Sequence, residues 1–242
     1  MSSFSIAHAH KPLEVESDNN SILDAVKIPD HKISWAINQE IQNTGEVDYY
    51  SFDAKKDEEL YVEMTVPKLA ELESFTPSVA LIGYDINSEL LKQHSSNISL
   101  VEINSNSHSN YVPALQVPAK ASIIVGNYNG TIPSAEFYEP FTQTSYWERQ
   151  KLIVNKLPST GTYFLGVFDN QHDVQDRDVE KYTLAVGKIE DFGIIDYVVT
   201  LPVAWFDIKF FFNDYVTPSI AIILLITIPS SLVILLHVLK PR

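Results

Sequence analysis

Three stretches of the sequence carry side chains that could do chemistry. One runs from Asp169 to Glu180 (DNQHDVQDRDVE), where Asp169, Asn170, Asp173, Asp176 and Asp178 offer the hard oxygens that calcium gathers, about six to eight to an ion. The stretch lacks the D-x-[DN]-x-[DN]-G spacing of a helix–loop–helix calcium site, so a solvated acidic loop between strands competes with the metal reading. His10 is a second candidate. Cleavage after the A-x-A pattern Ala7-His8-Ala9 makes it the mature N-terminus, where an α-amino group and a ring nitrogen can chelate one copper ion. His31, His94, His108 or His172 would supply a further imidazole, although no spacing fixes which. The third stretch is Glu139–Trp147, where Phe141, Tyr146 and Trp147 could form an aromatic rim for a sugar or peptide. Because Trp147 also begins an alternating pattern, the same residues could instead fold back on a strand.

Other chemistry is excluded or unsupported. With no cysteine there is no disulfide framework, thiolate zinc site or cysteine nucleophile. The G-x-S-x-G, H-E-x-x-H, P-loop and dinucleotide glycine patterns are absent, so the expectation is a protein that is not an enzyme. A formal charge of −14 argues against nucleic acid, whose phosphates demand clustered Lys and Arg. It suits basic partners or cations instead.

The C-terminal segment suggests where such a protein sits. Ser219 to Leu239 contains no Asp, Glu, Lys or Arg. As a helix it would be about 32 Å long, near the thickness of a bilayer's hydrocarbon core. Pro218 suits a first helical turn, and Pro229, followed by two serines, predicts a kink in mid-span. Lys240 and Arg242 form a basic tail, which the positive-inside rule places in the cytoplasm. Before the span, Trp205, Phe210, Phe211 and Phe212 predict a juxtamembrane segment lying in the outer headgroup zone. Export of the acidic bulk then requires a signal peptide, of which residues 1–9 read as the cleaved end, with more sequence upstream of Met1.

Between residues 33 and 187 the dominant period is two. Alternation at Ile33–Ile37, Val47–Phe52, Leu60–Val66 and Tyr146–Val154, with shorter runs at Ser78–Ile82, Ala121–Val125, Thr162–Phe168 and Lys181–Val186, predicts many short strands. Bounded by Gly, Pro, Asn and Asp, with no long amphipathic helix among them, they indicate an all-β fold: an antiparallel, jelly-roll-like β-sandwich ectodomain plus one C-terminal transmembrane helix. The divisions expected are an N-terminal extension (10–32), the sandwich (33–187), the aromatic segment (188–217), the span (218–239) and the tail (240–242).

Two motifs carry a resemblance. Gly45–Ala54 (GEVDYYSFDA) with Leu60-Tyr61-Val62, and Leu157–Val167 (LPSTGTYFLGV) with Lys181–Val186 (KYTLAV), resemble the opening and closing strands of the bacterial and archaeal pre-peptidase C-terminal domain. About two thirds of the outer region is covered, and Glu71–Gln143 has no match. The resemblance implies a secreted, non-catalytic sandwich that accompanies a hydrolase, some members binding calcium or matrix. An attached enzyme domain is missing here and a membrane helix is added. The expected role is therefore a membrane-anchored extracytoplasmic module holding a protein, glycan or complex partner at the outer surface of the cell membrane. Alternatives are a copper-binding or redox-accessory protein using His10, and a structural subunit of a membrane complex.

Overall fold

The computed structural model describes residues 10–43, 45–91, 98–104, 115–169 and 180–238, with side chains as far as Ser231. Two six-stranded sheets face each other. The front sheet is ordered β1(Lys11–Pro12)–β3(Trp35–Ile41)–β12(Glu180–Val186)–β5(Leu60–Pro67)–β10(Thr144–Val154)–β9(Glu136–Glu139). The back sheet is ordered β2(Val26–Lys27)–β4(Val47–Ala54)–β11(Gly161–Phe168)–β6(Ser78–Gly83)–β8(Ser122–Tyr128)–β7(Ile98–Asn104). The pairing departs from a purely antiparallel sandwich at two places, β1 on β3 and β2 on β4, where the N-terminal extension joins each sheet in parallel. Residues 10–32 are thus built into both sheets, since an edge strand gains ladder hydrogen bonds from any extended neighbour.

Alternation decides which side chains meet between the sheets. Ile37, Val62, Met64, Leu152 and Leu184 from the front pack against Tyr50, Phe52, Leu81, Ile124 and Leu165 from the back, all essentially buried. Each contributes about 1.5–3 kcal/mol by leaving water. The outer face of the back sheet is covered too: Tyr49, Ala80, Ile82, Ile123 and Val125 form a second cluster, on which Ile22, Ala25, Leu115 and Val117 pack. A sheet buried on both faces loses its polar alternation, as in β6, where every residue of Ser78–Gly83 is buried.

Three buried polar groups are satisfied by geometry. Along β10 the register slips between Glu148 and Gln150, making Arg149 the extra residue of a bulge. Its guanidinium turns inward, donating to the carbonyls of Phe75 (2.8 Å) and Glu73 (2.7 Å) and to Ser134 Oγ. Asp48 is 3% exposed and accepts from Tyr182 Oη at 2.6 Å, while Tyr182 in turn meets Tyr50 Oη at 2.6 Å. Burial pushes the Asp48 carboxyl up to about 7, against the pull of the tyrosine hydrogen bond. Lys181 is the third, described with the site below.

After β12 the chain turns at Gly187, whose φ of +80° and closeness to the Ile33 carbonyl leave no room for a Cβ. The Ser34 amide then donates to the Ile189 carbonyl, and Lys188 and Ile189 donate to the Lys32 carbonyl, tying the exit strand to the start of the sandwich. A π-helical turn, Asp196–Thr200, runs into α1 (Leu201–Phe211), and a short turn leads to α2 (Val216–Val238). Among the described residues no helix is long and apolar enough to cross a membrane. For α2 the described side chains are those from Val216 to Ser231, short of its backbone end at Val238.

Candidate functional site: a groove beneath helix α1

The outer face of the front sheet is not open to solvent. Helix α1 crosses it, and between them lies a groove of about 810 Å³. Every strand of that sheet contributes to the floor, from Pro12 on β1 to Phe137 on β9. Neighbouring strands lie about 4.8 Å apart, so the five spacings between the outermost strands give the floor a width of about 24 Å. Its depth comes from small side chains. Ala36 and Ala185 are register partners on β3 and β12, and both line the groove. On the helix side stand Leu201, Ala204 and Ile208, spaced as one face of α1, with Val199 on the turn before it.

Four contacts clamp α1 in place. Lys11 Nζ pairs with Asp196 at 2.9 Å and donates to the Asp191 carbonyl, holding the entry. The hydrogen bond from Lys11 to the Asp196 carboxylate also holds that carboxyl below its ordinary range. At the other end Lys181, 8% exposed on β12, donates to the Phe211 carbonyl at 2.8 Å and to Asn213 Oδ1 at 3.0 Å. A cation there satisfies a carbonyl left orphaned by the helix end and meets the negative pole of the helix. Lys209, buried on α1 itself, reaches the Gln143 carbonyl at 3.5 Å and Asp214 at 3.8 Å. Tyr146 meets Phe212 edge-on, with ring centroids 5.0 Å apart.

The groove combines apolar walls with acidic groups. Glu63, Glu139, Glu148 and Asp207 line it, with Glu14 and Glu16 at the N-terminal edge, against two lysines, Lys151 and Lys188. Both lysines are already paired, Lys151 with Glu63 at 3.2 Å and Lys188 with Glu59. They also stand over the Tyr61 ring, at 5.7 and 4.9 Å. Tyr61 donates to Glu63, and burial beside that carboxylate raises its phenol well above the usual value. Burial also raises the Glu139 carboxyl, offset in part by the Phe141 amide, which donates to it at 3.0 Å.

The residues singled out from sequence fall in different places. Phe141 and Tyr146 line the groove, whereas Trp147 points the opposite way and packs in the core, because adjacent residues of a strand face opposite sides of the sheet. The pair of histidines is not brought to one ligand set. His10 lines the groove, with Nδ1 2.6 Å from Ser34 Oγ. His31 is 1% exposed and tilted against Phe52, with Nε2 3.8 Å from Glu58. Burial lowers its pKa, which outweighs the attraction of Glu58. Of the acidic stretch, Asp169 follows the end of β11, and Asn170, Asp173, Asp176 and Asp178 lie outside the described residues. Among the described residues no three His, Asp or Glu side chains are grouped to hold a metal ion. Asn19, the first residue of an Asn-x-Ser acceptor triplet, is buried and donates to the Tyr49 carbonyl, so it makes a poor site for glycosylation.

Of the aromatic segment, Trp205 stacks edge-on with Phe206, and α1 presents Phe210 outward, 42% exposed. Pro218 lies in the first turn of α2 and Pro229 inside it, while Lys240 and Arg242 lie outside the described residues. The groove's small floor was missed from sequence. A signal was present in Ala36, Tyr61 and Ala185, apolar or aromatic residues at outward positions of strands, where a solvated face would carry charge. Compared with known proteins, the chain matches no family model and no curated sequence.

Proposed function

We propose that this chain is a non-catalytic, membrane-anchored module whose β-sandwich stands outside the cell membrane and holds a protein partner against its surface. The observation that carries this reading is the continuity of α1 with α2. Helix α1 is clamped to the sandwich, and one short turn later begins the 23-residue α2, in which Ile220, Ile222, Ile223, Leu224, Leu225, Ile226 and Ile228 are all exposed. At 1.5 Å per residue α2 is about 34 Å long, and its sequence stays free of charge to Leu239. Three of its described hydroxyls are turned inward. Ser219, Thr227 and Ser230 each donate to the carbonyl four residues earlier, at 2.7, 2.8 and 2.7 Å, as a helix in lipid requires. The exposed apolar run of Ile194, Ile195, Tyr197 and Val198, with the outward face of α1, fits the headgroup layer beside the span.

The motifs that resemble the pre-peptidase C-terminal domain lie on β4, β5, β11 and β12. They pair with one another, β4 with β11 and β5 with β12, which supports a role for them in the sandwich rather than in catalysis. The test is fractionation with surface proteolysis. A chain tagged at both ends should stay in the pellet under alkaline carbonate, and protease added to intact cells should remove its N-terminal domain. Release by carbonate, or cleavage only after lysis, overturns the reading.

A further inference from the structure

We infer that the groove beneath α1 binds an extended peptide segment in which Lys or Arg alternates with apolar side chains; this deepens the partner-holding role proposed above and rests on it. The shape comes first. A floor about 24 Å across is spanned by about seven residues at 3.4 Å each, and extended peptide is the protein element thin enough to lie between a sheet and a helix clamped over it. Ala36 and Ala185 leave the depth for side chains, and Tyr61, Phe141 and Tyr146 provide rigid apolar contacts along the length.

Charge then selects the occupant. Glu14, Glu16, Glu139, Glu148 and Asp207 line the groove without an ion-pair partner among the described residues, while both lining lysines are taken. An anionic occupant, such as a fatty acid, would bring its charge beside several carboxylates. A cationic one would neutralise them where apolar walls thin the solvent and strengthen the pairing. Glu139 and Glu148 stand on the neighbouring strands β9 and β10, at the end of the groove away from β1. Glu139 is the register partner of Thr144, so the two carboxylates sit four residues, about 13 Å, apart along these strands and offer two separate cation-accepting points. Glu14 and Glu16 offer another at the opposite end.

Fluorescence anisotropy on the full chain in nanodiscs of neutral phosphatidylcholine tests this, with empty nanodiscs as the lipid blank. The probes are a labelled seven-residue peptide alternating lysine with leucine, its counterpart with glutamate in place of lysine, and a fluorescent fatty acid. The lysine peptide should bind above the blank and at least tenfold tighter than the glutamate peptide. Glu148→Lys and Glu139→Lys should each weaken it about tenfold, the worth of one desolvated charge pair. Ala185→Trp, which fills the floor, should abolish binding; the surface variants carry the test if that one misfolds. Binding no stronger than to empty nanodiscs, equal binding of the two peptides, or a fatty acid competed out by Ala185→Trp in place of the peptide each overturns the inference. A chain that enters nanodiscs but ignores the lysine peptide removes the groove's ligand and leaves the anchor standing; one that stays out of nanodiscs removes the anchor.

Discussion

Raising the pH should weaken the sandwich through a single side chain. Asp48 is buried beneath Tyr182 and Tyr50, and its carboxyl is pushed up to about 7 from an ordinary value of 3.8. Between those two values the folded chain holds a proton there that the unfolded chain has released. Stability from this group is therefore complete below about pH 4 and is lost as pH rises to about 7. A difference of about three units at 1.36 kcal/mol each sets an upper limit of about 4 kcal/mol. Relaxation of the surroundings and residual water lower that to about 2–3 kcal/mol. Asn at this position keeps an acceptor for the Tyr182 hydroxyl and cannot ionise. Asp48→Asn should match the wild type near pH 3.5 within about 1 kcal/mol and exceed it at pH 8 by about 2–3 kcal/mol, or roughly 5–10 °C in melting temperature. Thermal melts in non-ionic detergent, followed by near-ultraviolet circular dichroism at both pH values, measure it. Subtracting the two proteins cancels the other carboxylates, which are common to both. Parallel pH profiles, or a variant less stable than wild type at pH 8, would refute the account of a desolvated carboxyl.

Two further outcomes follow from the polar anchors. Arg149→Met removes the guanidinium that donates to the carbonyls of Phe75 and Glu73 and should cost about 3–5 kcal/mol in a chemical melt, with Arg149→Lys recovering little because one ammonium cannot reproduce the fork. Lys181→Met removes the donor at the end of α1 and should leave the melting temperature of the sandwich within about 2–4 °C while raising the rate of limited proteolysis at Phe211–Tyr215 several-fold. An unchanged cleavage rate would mean that α1 is held without it.

Much of the sandwich is legible from periodicity. Strands expected at Val47–Phe52, Leu60–Val66, Ser78–Ile82, Tyr146–Val154, Thr162–Phe168 and Lys181–Val186 form within a few residues of those bounds, because half-buried strands record their two faces in alternation. β7 and β9 were not recognised. β7 lies at an edge, paired to β8 alone, and β9 is four residues long, so neither leaves a strong pattern. The N-terminal extension shows the same limit: two-residue strands such as β1 and β2 have no period, and only their neighbours make them strands.

Sequence alone determined that the chain is mostly strand, that its acidic character disfavours nucleic acid, and that its last stretch is uniformly apolar. Those properties are local or additive, so they can be read without knowing what touches what. Tertiary structure decided that Trp147 packs between the sheets while Tyr146 is buried on the opposite face against Phe212, that Lys181 on the last strand clamps a helix thirty residues further on, and that Ala36 and Ala185 together make the floor of a groove. Those facts depend on pairs of residues distant in the chain, and only folding the sheet brings them into register.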